Sequence, residues 1–174
     1  MSDFQVIDGS LGPDQAIDVT WSTAQNGVIY PQVPLGLVIV AHDQASTDYG
    51  FGSFIYLKGV ASTVVGSVVT YEIGIYDTVL TVANAVGQIA VSMSINVANQ
   101  YGWYQICGRS VVKVKASFAA NLVAYLTSTA GSLDDAVVVG DEVYTSFSQS
   151  AIDTPSTGLA EVGISYPFAT NASN

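Results

Sequence analysis

The sequence predicts an all-β protein, either a two-sheet β-sandwich or a flattened barrel with jelly-roll or Greek-key connections. At least eight short apolar or alternating segments recur at spacings of roughly 8–12 residues, which is typical of sandwiches and barrels. Glycines mark many of the turns between these segments. Over residues 89–97 every second residue is apolar, which is the period of a strand with one buried face.

The first 34 residues differ from the rest of the chain. Prolines remove backbone hydrogen-bond donors and favour extended geometry, and three occur in this segment: Pro13, Pro31 and Pro34. We interpret residues 1–34 as an extended N-terminal arm and residues 35–174 as the β-body. An ordinary first pair of strands is the alternative. If the segment is an arm, its aromatic residues Trp21 and Tyr30 are candidates for contact with a neighbouring subunit or with a larger assembly.

Strand candidates follow one another along the body, separated by turn residues. They cover residues 35–41, 53–58, 60–65, 69–75, 78–83, 88–97, 101–107, 111–117, 136–144 and 159–166. Pro167 is expected to end the last of them. Apolar residues at helical spacing within 118–126 leave a short helix open as an alternative there.

Composition narrows the possible partners. Charged residues make up only 10% of the chain, against about 25% in typical domains. Such a surface suits extensive contact with other proteins, although it is also compatible with a merely neutral surface. Fourteen acidic and four basic residues give a net charge of −10, which opposes binding to nucleic acid or to anionic lipid. The uncharged stretch 78–108 carries polar residues throughout, which argues against a transmembrane helix. We therefore expect neither nucleic acid nor a membrane as a partner.

Residue types that carry catalysis are scarce. His42 is the only histidine, and Asp43 next to it on a strand would point to the opposite face. Cys107 is the only cysteine and lies in an apolar run, as is usual for a buried thiol. No nucleotide-binding, zinc-protease or serine-hydrolase motif occurs. We expect a protein that is not an enzyme, with no catalytic residue, no cofactor and no assigned metal ligand.

Two pairs of acidic residues are candidates for a calcium site. Asp134 and Asp135 precede an apolar run, and Asp141 and Glu142 follow it. Carboxylate oxygens could hold a calcium ion if these loops converge. The pairs lack the dense spacing of a dedicated calcium loop, so solvated loops are the alternative.

An aromatic cluster offers the largest potential contact area. On a strand Tyr101 and Trp103 share one face, and Tyr104 lies on the other. We predict that Trp103 is buried within the subunit, that Tyr104 faces an intersubunit contact and that Tyr101 adds to the interface. An exposed Trp103 stacking under a sugar ring is the alternative. That alternative would make the protein a carbohydrate- or receptor-binding β-module of a phage fibre or tail.

Four segments carry a resemblance to a known family. They are Gly87–Val91, Gln100–Gly108, Thr127–Gly131, and the segment from Thr157 to Ser165 with Pro167 after it. In their order and amino-acid sequence these segments resemble the head decoration (cement) proteins of tailed bacteriophages, over roughly residues 60–167.

The resemblance implies function, partners and location, but no catalytic residues. It implies an all-β subunit that assembles as a homotrimer. The trimer would bind the major capsid protein on the outer surface of the virion and stabilise the shell.

Overall fold

The computed structural model describes residues 4–6, 16–45 and 48–171. Among these residues it has thirteen strands and no helix, so the all-β prediction is confirmed. In chain order the strands are β1 (Phe4–Val6), β2 (Ser22–Gln25), β3 (Val28–Pro31), β4 (Val38–Asp43), β5 (Phe51–Lys58), β6 (Val68–Tyr71), β7 (Thr78–Leu80), β8 (Gly87–Ser92), β9 (Tyr101–Lys113), β10 (Tyr125–Leu126), β11 (Leu133–Asp134), β12 (Tyr144–Ser148) and β13 (Leu159–Ala169).

Nine strands form one antiparallel sheet that curls on itself. The order is β1-β4-β5-β9-β13-β8-β6-β7, and β12 pairs with β13. Strands β8, β9 and β13 each pair with the other two. Three strands can all be mutual neighbours only if the sheet bends around them, which makes the architecture consistent with a β-sandwich or half-barrel. Strands β2 and β3 form a separate hairpin, and β10 pairs with β11.

The curl depends on a change of partner within β9. Its first half pairs with β5 and its second half with β13. The change falls at Gly108, whose φ of 109° is in the region that favours glycine. The sequence predicted two strands here, 101–107 and 111–117, and that prediction is wrong. A bulge bends the strand without ending it.

Pro167 does not end the last strand, because β13 continues to Ala169. The proline lies where β13 leaves β9, whose last partner pair is Ser165 with Cys107, and joins β8 through Phe168. The register to β12 also shifts at this point. A missing N–H is tolerated at such an irregularity.

Two predicted strands are wrong where the chain turns instead, and the short helix left open over 118–126 does not form. Residues 60–65 bend, and the Thr63 hydroxyl donates to the Val60 carbonyl at 2.7 Å. Residues 136–140 form an exposed loop, and the strand that follows it begins only at Tyr144. Residues 118–126 form bends and the short strand β10. Side-chain hydrogen bonds satisfy backbone groups of Val60, Ala119 and Leu122 in two of these segments.

Both faces of the central sheet are buried. Tyr104 pairs directly with Ile55 on one side and with Ser92 on the other, so these three side chains share a face. Gln105 pairs with Phe54 and Val91, which share the opposite face. All six are buried. This explains why the alternation over 89–97 does not describe one wet and one dry face. The strand ends at Ser92, so the prediction of a strand over 88–97 is wrong beyond that residue.

Part of the N-terminal segment packs on its own chain. Ile17 and Trp21 belong to the core cluster around Trp103. The Trp21 amide donates to the Tyr101 carbonyl at 2.8 Å. Strand β1 pairs with β4. Pro13 lies outside the described residues.

Candidate functional site

Trp103 is fully buried, as predicted. Trp21 packs edge-on against it with 5.5 Å between ring centroids, and Tyr56 packs at 5.1 Å. Aromatic pairs at such distances contribute about 0.5–1.5 kcal/mol beyond the burial of their area. Because the ring is enclosed, it offers no face for stacking on a sugar. The carbohydrate-binding alternative therefore loses the residue on which it depended.

Tyr104 is also fully buried, and the prediction that it faces an intersubunit contact is wrong. The face of β9 that carries Tyr104 is not exposed, because Leu57, Val69 and Ala90 pack against it in one buried cluster. Burial raises the pKa of the Tyr104 hydroxyl. That hydroxyl lies among polar side chains, but none of them meets the distance and angle requirements of a hydrogen bond to it. The surrounding groups are Thr63, Thr78, Ser92 and Asn96.

The other three predicted interface residues differ in exposure. Tyr101 is half-buried and stacks on Tyr56 at 6.3 Å between centroids. Trp21 is buried, and its indole N–H donates to the Ala16 carbonyl at 2.8 Å. Tyr30 is exposed on β3. Of these residues, Tyr30 therefore offers the largest surface to a partner, and Trp21 contributes to the core.

His42 and Cys107 lie on different strands, β4 and β9. His42 is half-buried and packs on Phe51 with 4.5 Å between ring centroids. Asp43 is buried, and its carboxylate accepts a hydrogen bond from the Ala45 amide. Cys107 is a half-buried free thiol in β9.

Three of the four residues in the acidic pairs accept hydrogen bonds from backbone amides. Asp135 accepts a hydrogen bond from the Ala119 amide at 3.0 Å, and Asp134 accepts one from the Asp135 amide at 2.9 Å. Asp141 is buried and accepts from the Asn84 amide. Across residues 4–6, 16–45 and 48–171, no group of three or more His, Cys, Asp or Glu side chains is arranged to hold a metal ion.

A buried charge cluster was not foreseen from the sequence. Glu161 accepts hydrogen bonds from the Tyr49 hydroxyl at 3.0 Å and from the Arg109 guanidinium. Arg109 also lies over the Tyr49 ring at 5.8 Å. Burial, followed by the bond to Glu161, raises the pKa of Tyr49 to about 12. The cluster ties the 48–50 segment to the centre of the sheet. Because Tyr49 and Glu161 are 112 residues apart, no local pattern could have paired them.

A candidate interaction surface lies at the β7 edge of the sheet. A shallow depression of about 600 Å³ there is lined by Glu72, Asp77 and other polar residues and by three exposed apolar ones. The apolar residues Ile73, Val79 and Val86 are 69%, 62% and 62% exposed. We call these three residues the edge patch. Its strand, β7, is the last in the sheet order and pairs only with β6 in the described sheet. An exposed sheet edge bearing apolar side chains is a typical site of protein association.

One residue in the sequence, Gly74, indicates that the segment around Ile73 is a turn, although the alternating pattern there is typical of a strand. The pattern over 69–75 placed Ile73 and Ile75 on the buried face of a strand. The strand instead ends at Tyr71, and Gly74 adopts a φ of 96° in the turn that follows. A glycine between two isoleucines is a turn signal, and giving it more weight would have placed both isoleucines outside the core.

Comparison with protein-family models, with curated proteins and with solved structures gave no match for this chain. Within the described residues, no helix is long and apolar enough to cross a membrane.

Proposed function

We propose that the protein is a capsid decoration protein of a tailed bacteriophage, which binds the major capsid protein on the outside of the head and stabilises the shell. The edge patch is the observation that carries this proposal. Three apolar side chains around one depression are each more than 60% exposed. Their surface can be removed from water only by a binding partner. The sequence resemblance to phage decoration proteins supplies the identity of that partner.

The low charge density supports the same proposal. Only 10% of the residues are charged, so bringing the protein against a large protein surface requires the desolvation of few charges. The net charge of −10 disfavours nucleic acid and anionic lipid as alternatives. In this proposal the protein acts on the virion surface and carries no enzymatic step.

The finer architecture belongs to the same proposal. The curled sheet would close as a two-sheet sandwich or flattened barrel of jelly-roll or Greek-key type. The subunits would form a homotrimer, and the segment 1–34 would act as an arm towards a neighbour. The hairpin β2–β3 supports the last point. Seven of the eight residues from Thr23 to Tyr30 are exposed, and Ile29 is half-buried.

The experiment is a binding assay with heads that lack the protein. Purified chain is added to such heads and co-sedimented, and the heat and osmotic stability of the particles is measured with and without it. We expect saturable binding and more stable particles. In the variant Val79→Asp a charge enters the edge patch, and we expect binding to weaken at least tenfold. Val38→Asp is the matched control, because Val38 is an exposed valine on β4, outside the edge patch and outside the β2–β3 hairpin.

Two outcomes would overturn the proposal. One is a wild-type chain that does not co-sediment with heads and leaves their stability unchanged. The other is equal binding by the wild type and Val79→Asp, which would remove the edge patch as the contact. Thermal unfolding of both variants confirms that each is folded before binding is compared.

A further inference from the structure

A loop of three consecutive valines is the most exposed apolar segment outside the edge patch. Val137, Val138 and Val139 are 76%, 44% and 68% exposed, and we call residues 136–140 the valine loop. The Asp141 amide bonds to the Val138 carbonyl at 3.1 Å, and the Asp141 carboxylate accepts from the Asn84 amide, so the loop is held at its base. A run of three exposed apolar residues on an anchored turn is unfavourable unless something covers it.

The complementary feature is an apolar cavity at the Leu159 end of β13. It has a volume of about 250 Å³. Five of its lining residues are apolar: Val65, Met93, Val111, Pro155 and Leu159. Ser92, Ser156 and Asp18 complete the lining, and Asp18 is itself engaged within the chain. An apolar cavity of about 150 Å³ can already take up a benzene molecule, so this one is large enough for the isopropyl group of a valine.

The cavity has a basic neighbour. Lys113 follows Val111 by two residues on β9, and it pairs directly with Leu159 on β13. Residues two apart on a strand and residues directly opposite one another share a face. The Lys113 side chain therefore lies on the same face as these two lining residues. The valine loop has an acidic neighbour in turn, because Glu142 lines the same depression as its three valines.

The two features lie too far apart to meet within one copy. Tyr144, which shares the depression of the valine loop, pairs with Phe168 near the far end of β13. Leu159, in the cavity wall, begins the same strand. Nine residues of strand separate Leu159 from Phe168, a distance of about 30 Å at roughly 3.3 Å per residue. A second copy of the chain can bring the two together.

We propose that the protein associates with itself head to tail, with the valine loop of one copy seated in the apolar cavity of the next and Glu142 placed opposite Lys113. Such a contact joins two different patches, which is the type of interface that closes into a cyclic ring when the rotation allows it. The inference rests on the proposed homotrimer and assigns its contact surface. The acid–base pair sets the orientation of a contact between copies whose net charge of −10 otherwise opposes association.

The first experiment is sedimentation velocity of the full chain over a range of concentrations. We expect a wild-type trimer and a monomer for the double variant Val137→Asp/Val139→Asp. Val79→Asp and Val38→Asp are controls on other surfaces and should remain trimeric. The single variants Lys113→Glu and Glu142→Lys should each weaken association at least tenfold, and the combination of both should restore it. Thermal unfolding and circular dichroism establish that each variant keeps the wild-type fold.

A mixing experiment tests the head-to-tail geometry directly. Val65→Phe fills the cavity and keeps the loop, whereas Val137→Asp/Val139→Asp keeps the cavity and loses the loop. Each variant alone should be monomeric, and an equimolar mixture should form a dimer but no trimer, because only one loop and one cavity remain compatible.

The overturning results separate this inference from the proposed function. A wild-type trimer that persists in the loop variant overturns the loop-in-cavity contact and leaves trimeric decoration intact. A wild-type chain that is monomeric at every concentration overturns both the contact and the trimer. Co-sedimentation of that monomer with heads would still support decoration, whereas its failure to bind heads would overturn the proposed function as well.

Discussion

The side chain of Asn96 fills the space directly above Gly102. A Cβ atom on Gly102 would lie 2.3 Å from both amide atoms of Asn96. Asn96 is fully buried, and its amide oxygen accepts a hydrogen bond from the Ser94 hydroxyl at 3.0 Å. Its backbone carbonyl oxygen would lie 2.0 Å from a Cβ atom on Gly59. The glycine before Trp103 is therefore a consequence of close packing in this buried polar cluster.

Replacing Gly102 with alanine should destabilise the fold. The added methyl group must displace Asn96, and overpacking of this kind costs about 1–3 kcal/mol. Gly163→Ala is the matched control, because Gly163 also lies in a buried strand position without a positive φ. The closest atoms to its added Cβ belong to the ring end of Phe147 and to the Gln149 side chain. Phe147 is exposed and can move, so we expect a cost below about 1 kcal/mol.

Chemical denaturation of both variants measures the two free energies of unfolding. Equal costs for Gly102→Ala and Gly163→Ala would show that Asn96 yields as easily as a surface side chain.

Tyr104→Ala should reduce stability and leave subunit association unchanged for the protein that remains folded. The side chain is wholly enclosed, and truncating a buried aromatic residue costs about 3–5 kcal/mol. We expect the same range for Trp103→Ala. Unfolding by denaturant measures the stability, and sedimentation of the folded fraction measures the association. A Tyr104→Ala variant with near wild-type stability and weaker association would restore Tyr104 as an interface residue.

Local patterning predicted the strand class, because alternation depends on residues a few positions apart. It also placed Trp103 and Tyr104 on opposite faces, but the residues that enclose Trp103, Trp21 and Tyr56, come from distant segments. Alternation and glycine-marked turns are sufficient for an all-β fold. The same patterning placed the opposite face of β9 in contact with a partner. It could not show that Val69 and Ala90, from strands distant in sequence, already cover Tyr104.

Tertiary context decided the elements that patterning missed. A window around Gly108 contains a turn residue, yet β5 and β13 pair on its two sides and keep β9 continuous. The apolar run 136–140 has strand composition, but side-chain acceptors on its two sides, Asp135 and Asp141, bind the amides of Ala119 and Asn84. These bonds join segments far apart in sequence, so the loop could be identified only in the folded chain.

Two variants in segment 1–34 test whether its packing contributes to the stability of the β-body. Trp21→Ala should cost about 3–5 kcal/mol, because it empties a buried aromatic site against Trp103. Tyr30→Ala, in the same segment but on the exposed hairpin, should change the free energy of unfolding by no more than about 0.5 kcal/mol. Calorimetry or denaturant unfolding compares the two. If Trp21→Ala is as mild as Tyr30→Ala, the segment 1–34 behaves as a detachable arm.

Alkaline pH should unfold the protein through its buried tyrosines. Burial raises the pKa of Tyr56 to about 12, and burial with the bond to Glu161 raises that of Tyr49 to about 12, against an ordinary value of 10.0. Below pH 10 both the folded and the unfolded chain hold these protons, so the stabilising contribution is complete. Between about pH 10 and about pH 12 the unfolded chain loses them first, and stability falls as the pH rises.

The measurement follows the free energy of unfolding and the phenolate absorbance together over that interval. The absorbance of the late-titrating tyrosines should appear with the loss of structure. Tyr56→Phe serves as the control. It removes one late titration, and it also leaves the Trp21 carbonyl and the Gln32 amide without their bond to the phenol oxygen, at a cost of about 1–3 kcal/mol. Full tyrosine ionisation near pH 10 with the fold intact would contradict the burial of these hydroxyls.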